Sequence, residues 1–432
     1  MKKLIWPAAI MLGIALLLGG LAGFLRSMFT NQLEAEIAAL KAKGKPLTIQ
    51  ELVGPPIPDD ENAAVPFTAF QTECENKTYE PQWKVMDAFP STPGNMVADD
   101  TWKMAERALV RMKPLRDLVE EALSRPKCRF EPNSTNPVEL QFPHLATLRR
   151  AASMYGVSAL VNARNGRMDQ AVDDICTQIG IARAIVDEPY MIAHLVKQVI
   201  MRRAAEIAVA STDLGSFNEE QARRMFDAFG RFDMVRSNRR AWDGERVMYV
   251  YLANPDNVRK LGGLMAALGG PTGTSVLGKP LVSTYEQTLM RGEVATFLRS
   301  VNMQDEYADL SYPKARARGL TEFNRNQPVY AVLTRNVLPE MATLRLRRYV
   351  ADAEISRVRI FLALQAYKAR FGGYPSSLQD VRDKLGWNLP MDPFSEKDFV
   401  YKPQGSGFIL YSVGPDMKDD GGGRPCAKSY SG

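Results

Sequence analysis

Three carboxylates, Asp416, Asp419 and Asp420, fall within five residues near the end of the chain, in the run YSVGPDMKDDGGG at 411–423. Calcium takes roughly six to eight oxygens from carboxylates, carbonyls and water. Gly421, Gly422 and Gly423 let the backbone curl around an ion. Left unneutralised, three close carboxylates repel. Two readings fit these residues: a calcium loop, or an Asp- and Gly-rich turn that holds no ion.

The other candidates for chemistry are sparser. The chain has two histidines, His144 and His194. Each sits in an apolar helical context, which fits a satisfied helix histidine better than a catalytic pair. GTSVLGKP at 273–280 nearly matches a phosphate-binding loop, but Pro280 stands where a hydroxyl must meet magnesium. Proline also has no amide hydrogen to offer a phosphate. No H-E-x-x-H or G-x-S-x-G motif occurs. Asp173 and Asp174 are adjacent, so on a helix they diverge by about 100° and read as a solvated face rather than an acid–base pair. Of the four cysteines, Cys74 and Cys128 fall in polar stretches and could pair. Cys176 reads as a small buried hydrophobe, and Cys426 follows the glycine run. No C-x-x-C occurs, so zinc binding through cysteine has little support.

These residues must be positioned by a chain of 432 residues with 45% hydrophobic and 24% charged residues, an ordinary globular composition. A formal net charge of +6 permits contact with anionic lipid. It does not demand nucleic acid, and aromatic and basic residues do not interleave as a stacking platform would need. Basic pairs such as Arg149-Arg150, Arg202-Arg203 and Arg347-Arg348 read as solvated helix faces.

Lys2 and Lys3 precede an uncharged run over residues 4–25 that ends at Arg26. At about 1.5 Å per residue this run crosses a hydrocarbon core of about 30 Å. The two lysines favour a cytoplasmic amino terminus and place the rest outside the cytoplasm, whether periplasmic or at the cell surface. A cleaved signal peptide with Gly20 and Ala22 before the cut is the competing reading, though the run is long for one. The expected division is an anchor at 1–26, an extracytoplasmic helical domain at 27–328, and a long helix with a small α+β module at 329–432.

Helices are expected at about 31–43 and 97–125, with an irregular break at 126–143, then densely through 144–233. Tyr155, Ala159, Gly166, Ala171 and Ile175 fall near the packing positions of one tetratricopeptide hairpin, while Asn162, Gln178 and Arg183 depart from it. Residues 254–280 carry six glycines and read as an outer loop. A long helix follows over about 339–371, with Ile360, Leu364, Tyr367 and Phe371 on one stripe. Gly372-Gly373 and Pro375 end it. DFVYKP and GFILYSV joined by QGSG read as a hairpin that this stripe covers. The fold class expected is mainly α: a transmembrane helix, a helical bundle with one tetratricopeptide-like hairpin, and a small C-terminal α+β module.

The helix ending in GGYP, then LPMDPF, FVY, GFILYSVGPD and the glycine run, resembles the globular part of the major pseudopilin of type II secretion over about residues 355–423. That resemblance implies a calcium loop after the last strand. The match places Asp416 and the Val413 carbonyl among its ligands, with Asp419 and Asp420 as looser counterparts. The pseudopilin leader does not match: Gly23-Phe24 follows the apolar run, and Met28 stands where a glutamate belongs. The chain is therefore not expected to assemble as a pilin subunit. The remainder resembles bacterial membrane-anchored helical proteins of uncharacterised activity. The expected role is non-enzymatic: a membrane-anchored extracytoplasmic binding or structural protein, stiffened by calcium, in contact with lipid and a protein partner. The alternatives are an accessory component of a type II secretion or pilus-like system, and an exported hydrolase.

Overall fold

Punctuation residues set the helix ends. A computed structural model describes residues 2–90, 97–254, 256–257, 288–319 and 327–422; the side chains of 2–9, 11, 12, 15, 304, 333 and 336–342 lie outside that description. Helix α1 (Lys2–Ala42) is followed by α2 (Ile49–Val53), α3 (Ala64–Glu75), α4 (Glu80–Ala88), α5 (Asp99–Arg111) and α6 (Lys113–Ser124). Next come α7 (Pro143–Arg164), α8 (Met168–Ala184), α9 (Met191–Ser211), α10 (Glu219–Gly230) and α11 (Met234–Leu252). The chain closes with α12 (Met290–Tyr307), α13 (Tyr312–Ala317), α14 (Val332–Phe371), α15 (Leu378–Leu385) and the strands β1 (Val400–Gln404) and β2 (Gly407–Tyr411). The architecture is mainly helical with a two-stranded antiparallel sheet.

The helical middle is one layered core. In the α7–α8 hairpin Gln178 reaches the carbonyl of Ala152, and Ser158 reaches Asp174, so the helices run antiparallel. Tyr155, Ala159, Ala171 and Ile175 are buried in it, and Gly166 turns the chain at φ 73°. Helix α9 packs on both, and α10 joins α8 to α14. The adjacent pairs split as helix geometry requires. Asp173 faces outward to Arg224, while Asp174 is buried; Arg347 is exposed, while Arg348 is buried against the Tyr349 ring. The expected solvated face thus holds for one member of each of these two pairs, and for both members of Arg149-Arg150.

A second cluster joins α1, α11 and α12 through Leu33, Leu40, Trp242, Tyr249, Phe297 and Leu298. Phe29 and Glu36 of α1 meet Gly292 and Arg299 of α12 at one constant offset, so the two helices run parallel. Thr334 near the start of α14 donates to Glu293 near the start of α12, and Tyr349 further along α14 donates to Leu310 just past α12. Helix α14 is therefore parallel to both. Beyond α1, Lys45 ties the chain to Asp305 at 2.9 Å, and the fully buried Arg246 binds the same Asp305 and Asp243.

Among the described residues no helix is long and apolar enough to cross a membrane. Much of the uncharged run at 4–25 falls on α1 side chains outside the description. The near phosphate loop at 273–280, most of the glycine-rich stretch, Gly423 and Cys426 also lie outside the described residues. Cys74 and Cys128 are free thiols: Cys74 sits inside α3 rather than in an irregular stretch, and no bridge joins the two.

Helix α11 lies close against the α8–α9 turn at Gly244. A Cβ on Gly244 would come within 1.8 Å of the Pro189 carbonyl oxygen, which is backbone and cannot swing aside. Gly244→Ala is expected to destabilise the chain by about 1–3 kcal/mol or more, read as a lower urea midpoint; an unchanged midpoint would mean that α11 does not seat there.

Candidate functional site

The acidic loop follows from the way the last module is held. Helix α14 ends at Gly372 with φ 81°, and a capping box on Ser377 and Asp380 starts α15. The LPMDPF connector then returns the chain to the hairpin, whose register pairs Val400 with Tyr411 and Gln404 with Gly407. Gly405, at φ 55°, occupies the tight turn. Of the expected stripe, Ile360, Leu364 and Tyr367 are buried, but Phe371 is 46% exposed. The hairpin is covered from the neighbouring face instead, by Phe361 and Tyr374 against Phe408. The expected stripe fails at its last turn because the helix ends there and the chain leaves the hairpin. The module also shares one buried cluster with the helical middle, through Phe226 against Trp387 at 5.0 Å.

Asp392 fixes the end of the hairpin. Its fully buried carboxylate accepts from the amide of Phe394, the hydroxyl of Ser412 and the amide of Val413, at 3.0, 2.8 and 3.0 Å. A buried carboxylate is tolerated where such donors satisfy it. Asp392 lies outside the candidate residues above, although an Asp between prolines in a connector is a recognisable signal for side-chain capping.

The metal candidates lie just beyond. Asp416 accepts from the Lys418 amide, and Asp420 from the Gly422 amide, both at 3.1 Å. Asp419 accepts from the Tyr411 hydroxyl at 2.6 Å and the Gly421 amide at 3.0 Å. That phenol holds the Asp419 carboxyl below the usual range, and Asp419 in turn pushes the Tyr411 phenol up to about 12. Arg316 of α13 steadies the loop through the Pro415 carbonyl at 3.0 Å. Val413 enters by its amide, donated to Asp392. Each aspartate thus caps its own turn, and among the described residues no three His, Cys, Asp or Glu side chains gather to hold a metal ion.

The two histidines have separate partners. His144 bonds Glu188 at 2.6 Å and stacks on Phe130, with both members of the pair nearly buried. His194 is 1% exposed, between Ser237 and Gln198 at 2.8 Å each. The Gln198 amide donates to Nε2, so Nδ1–H donates to Ser237. Burial, with Lys197 and Arg348 nearby, drives His194 down to about 3. Asp174, expected on a solvated face, is buried instead and gathers Arg116, Ser158 and Asn162 within 2.7 Å. Asn162 and Gln178, the departures from the tetratricopeptide pattern, serve this polar seam.

One open groove of about 820 Å³ runs along α8 and α10 to Trp387. Arg183, Arg223, Arg224 and Arg231 line it, with Asp227 among the acids. Arg223 bonds Asp227 at 2.8 Å and lies over Trp387, and Arg224 pairs with Asp173. Burial pushes the Cys176 thiol in its wall up to about 11, so at neutral pH it is not a thiolate. Neither histidine lines this groove. Its residue types suit ionic contact with another molecule better than nucleophilic attack.

The chain matches no family model, no curated protein and no solved structure.

His194 makes stability depend on pH. Its folded pKa, about 3, lies below the unfolded one, about 6.5, so the unfolded chain takes up the proton first. Its contribution is complete above the unfolded value and is lost as pH falls toward the folded one, with a slope of up to about 1.4 kcal/mol per unit. Asp352, raised to about 6 chiefly by burial, acts in the opposite sense, so the test is a difference. His194→Gln should be less sensitive to acid than the parent between those limits in urea titrations. Parallel curves would exclude this histidine as the cause.

Proposed function

We propose that the chain is a membrane-anchored, extracytoplasmic protein for binding or structural interaction. The observation that carries this is the behaviour of α1. Ile10, Ile14, Leu16, Leu17, Leu18, Leu21 and Phe24 are all more than half exposed, and three of them are consecutive. The segment is therefore apolar all round, unlike a helix that turns one face to a core. From Phe29 onward the same helix is buried against α12. Hydrocarbon is the solvent that suits the first part, and Lys2, Lys3 and Arg26 bracket its ends. The helical body is then the part offered to a partner, with the arginine-lined groove as its charged face.

The order of long helix, short helix, connector, hairpin and acidic loop supports a second reading, an accessory component of a secretion or pilus-like system. Calcium belongs to both readings through the oxygens of Val413, Asp416, Asp419 and Asp420. Loading would require these carboxylates to exchange their present amide and phenol donors for the ion. Calorimetric titration of the chain with calcium should then show binding that Asp416→Ala abolishes and that Tyr411→Phe, by freeing Asp419, strengthens. No heat in any of the three removes calcium from the account.

Fractionation tests the anchor. In bacterial cells the full chain should stay in the membrane pellet through an alkaline carbonate wash. Replacing Leu16, Leu17 and Leu18 by aspartate, at a cost of about 2.5–3.5 kcal/mol each at a helix centre, should release it. Release of the unaltered chain by carbonate alone would reject the anchor.

A further inference from the structure

The end of the body from which α1 emerges carries its own chemistry. Because α1 and α12 run parallel in register at Phe29 and Gly292, Arg291 lies level with residue 28. That is about 4–5 Å past Leu25, where the uncharged run stops. Thr334 bonds Glu293, so Arg335 stands level with residue 294, about 4–5 Å further along and within reach of a long side chain. Arg26, on α1 itself, is exposed, as is Arg335, and Arg291 is half-buried. Among the described residues none of these three guanidiniums has an ion-pair partner. Glu293, the acidic residue at this end among those described, is 1% exposed and turned inward to Thr334.

Two more observations point the same way. Val329 is 83% exposed, and the neighbouring Tyr330 ring lies 4.6 Å from that of Phe29. An aliphatic side chain is thus held in the open beside the root of the apolar helix. Helix α14 begins here, just after its N-cap Ala331, so it directs the positive end of its dipole toward the same plane.

We propose that this face is a foot that rests on the headgroups of anionic phospholipid. The proposal takes from the reading above that α1 spans the bilayer. Arg26, Arg291 and Arg335 meet lipid phosphates, the start of α14 adds partial positive charge, and Val329 enters the headgroup–acyl boundary. The stem would then stand upright on the surface rather than swing on a flexible joint.

The test uses the full chain in nanodiscs whose lipids carry bromine on the acyl chain, either phosphatidylcholine alone or with about 30% phosphatidylglycerol. Trp6→Phe removes the tryptophan of the apolar run, and Val329→Trp is added to it; the difference between the two chains reports position 329. That added fluorescence should be quenched in the anionic discs and much less in the neutral ones. Changing Arg26, Arg291 and Arg335 together to glutamine should weaken docking about fivefold per arginine, lowering the quenching in anionic discs. If Trp6 is quenched in the unaltered chain while position 329 is not, α1 spans and the foot is refuted. If Trp6 is not quenched either, the anchor reading fails and the foot with it. Equal quenching at position 329 in both lipids would refute the role of the arginines.

Discussion

The rest of the arrangement depends on one contact, the Phe29 ring against the bare backbone of Gly292. A Cβ at Gly292 would come within 2.6 Å of that ring. The contact is what lets α1 lie close along α12 instead of leaving the body at once. From it follow the parallel register of Glu36 with Arg299, the burial of Leu33 and Leu40, and the tie from Lys45 to Asp305. Helix α1 is therefore one rod with two environments. Its first part is apolar on every side, and its second is built into a stem with α12 and α14. A rod of this kind ties the orientation of its apolar first part to the body, which a loop would not.

Polar groups inside the body hold elements together rather than meet solvent. Asp174, with Arg116, Ser158 and Asn162, joins α6, α7 and α8. Lys197 donates to the carbonyls of Val186 and Glu188 at the end of the α8–α9 turn, and burial lowers it to about 8. Removing one partner from such a group strands a buried charge, which costs far more than a surface pair contributes. The same burial keeps these groups away from the open groove, where the arginines are partly matched by acids. This division leaves these buried polar groups internally satisfied and the groove charged.

Local signals were legible in the sequence. Gly166 and Gly372 end helices in the left-handed region, the QGSG turn makes the hairpin, and the helix at 144–164 begins where its apolar period begins. Long-range pairings were not. Periodicity says that Asp173 and Asp174 face apart, but not that one would be buried beneath Arg116. It puts Phe371 on a stripe, but not that the chain turns away there and leaves Phe361 to cover Phe408. Asp392 reaches donors twenty residues on, and Gly244 and Gly292 matter only through backbone or rings from distant elements. The aspartates at 416, 419 and 420 fit either a calcium loop or a turn from their spacing alone, and each caps a nearby amide. Composition within the loop could not reveal which oxygens those amides would occupy.

Protease access reveals on which side of the membrane the proposed anchor places the body. Protease added to intact spheroplasts that express the full chain should degrade the body from residue 27 onward and leave a protected amino-terminal fragment bearing Lys2 and Lys3. A body that survives outside addition and is cut only after lysis would contradict the account, because the helical body would then lie inside.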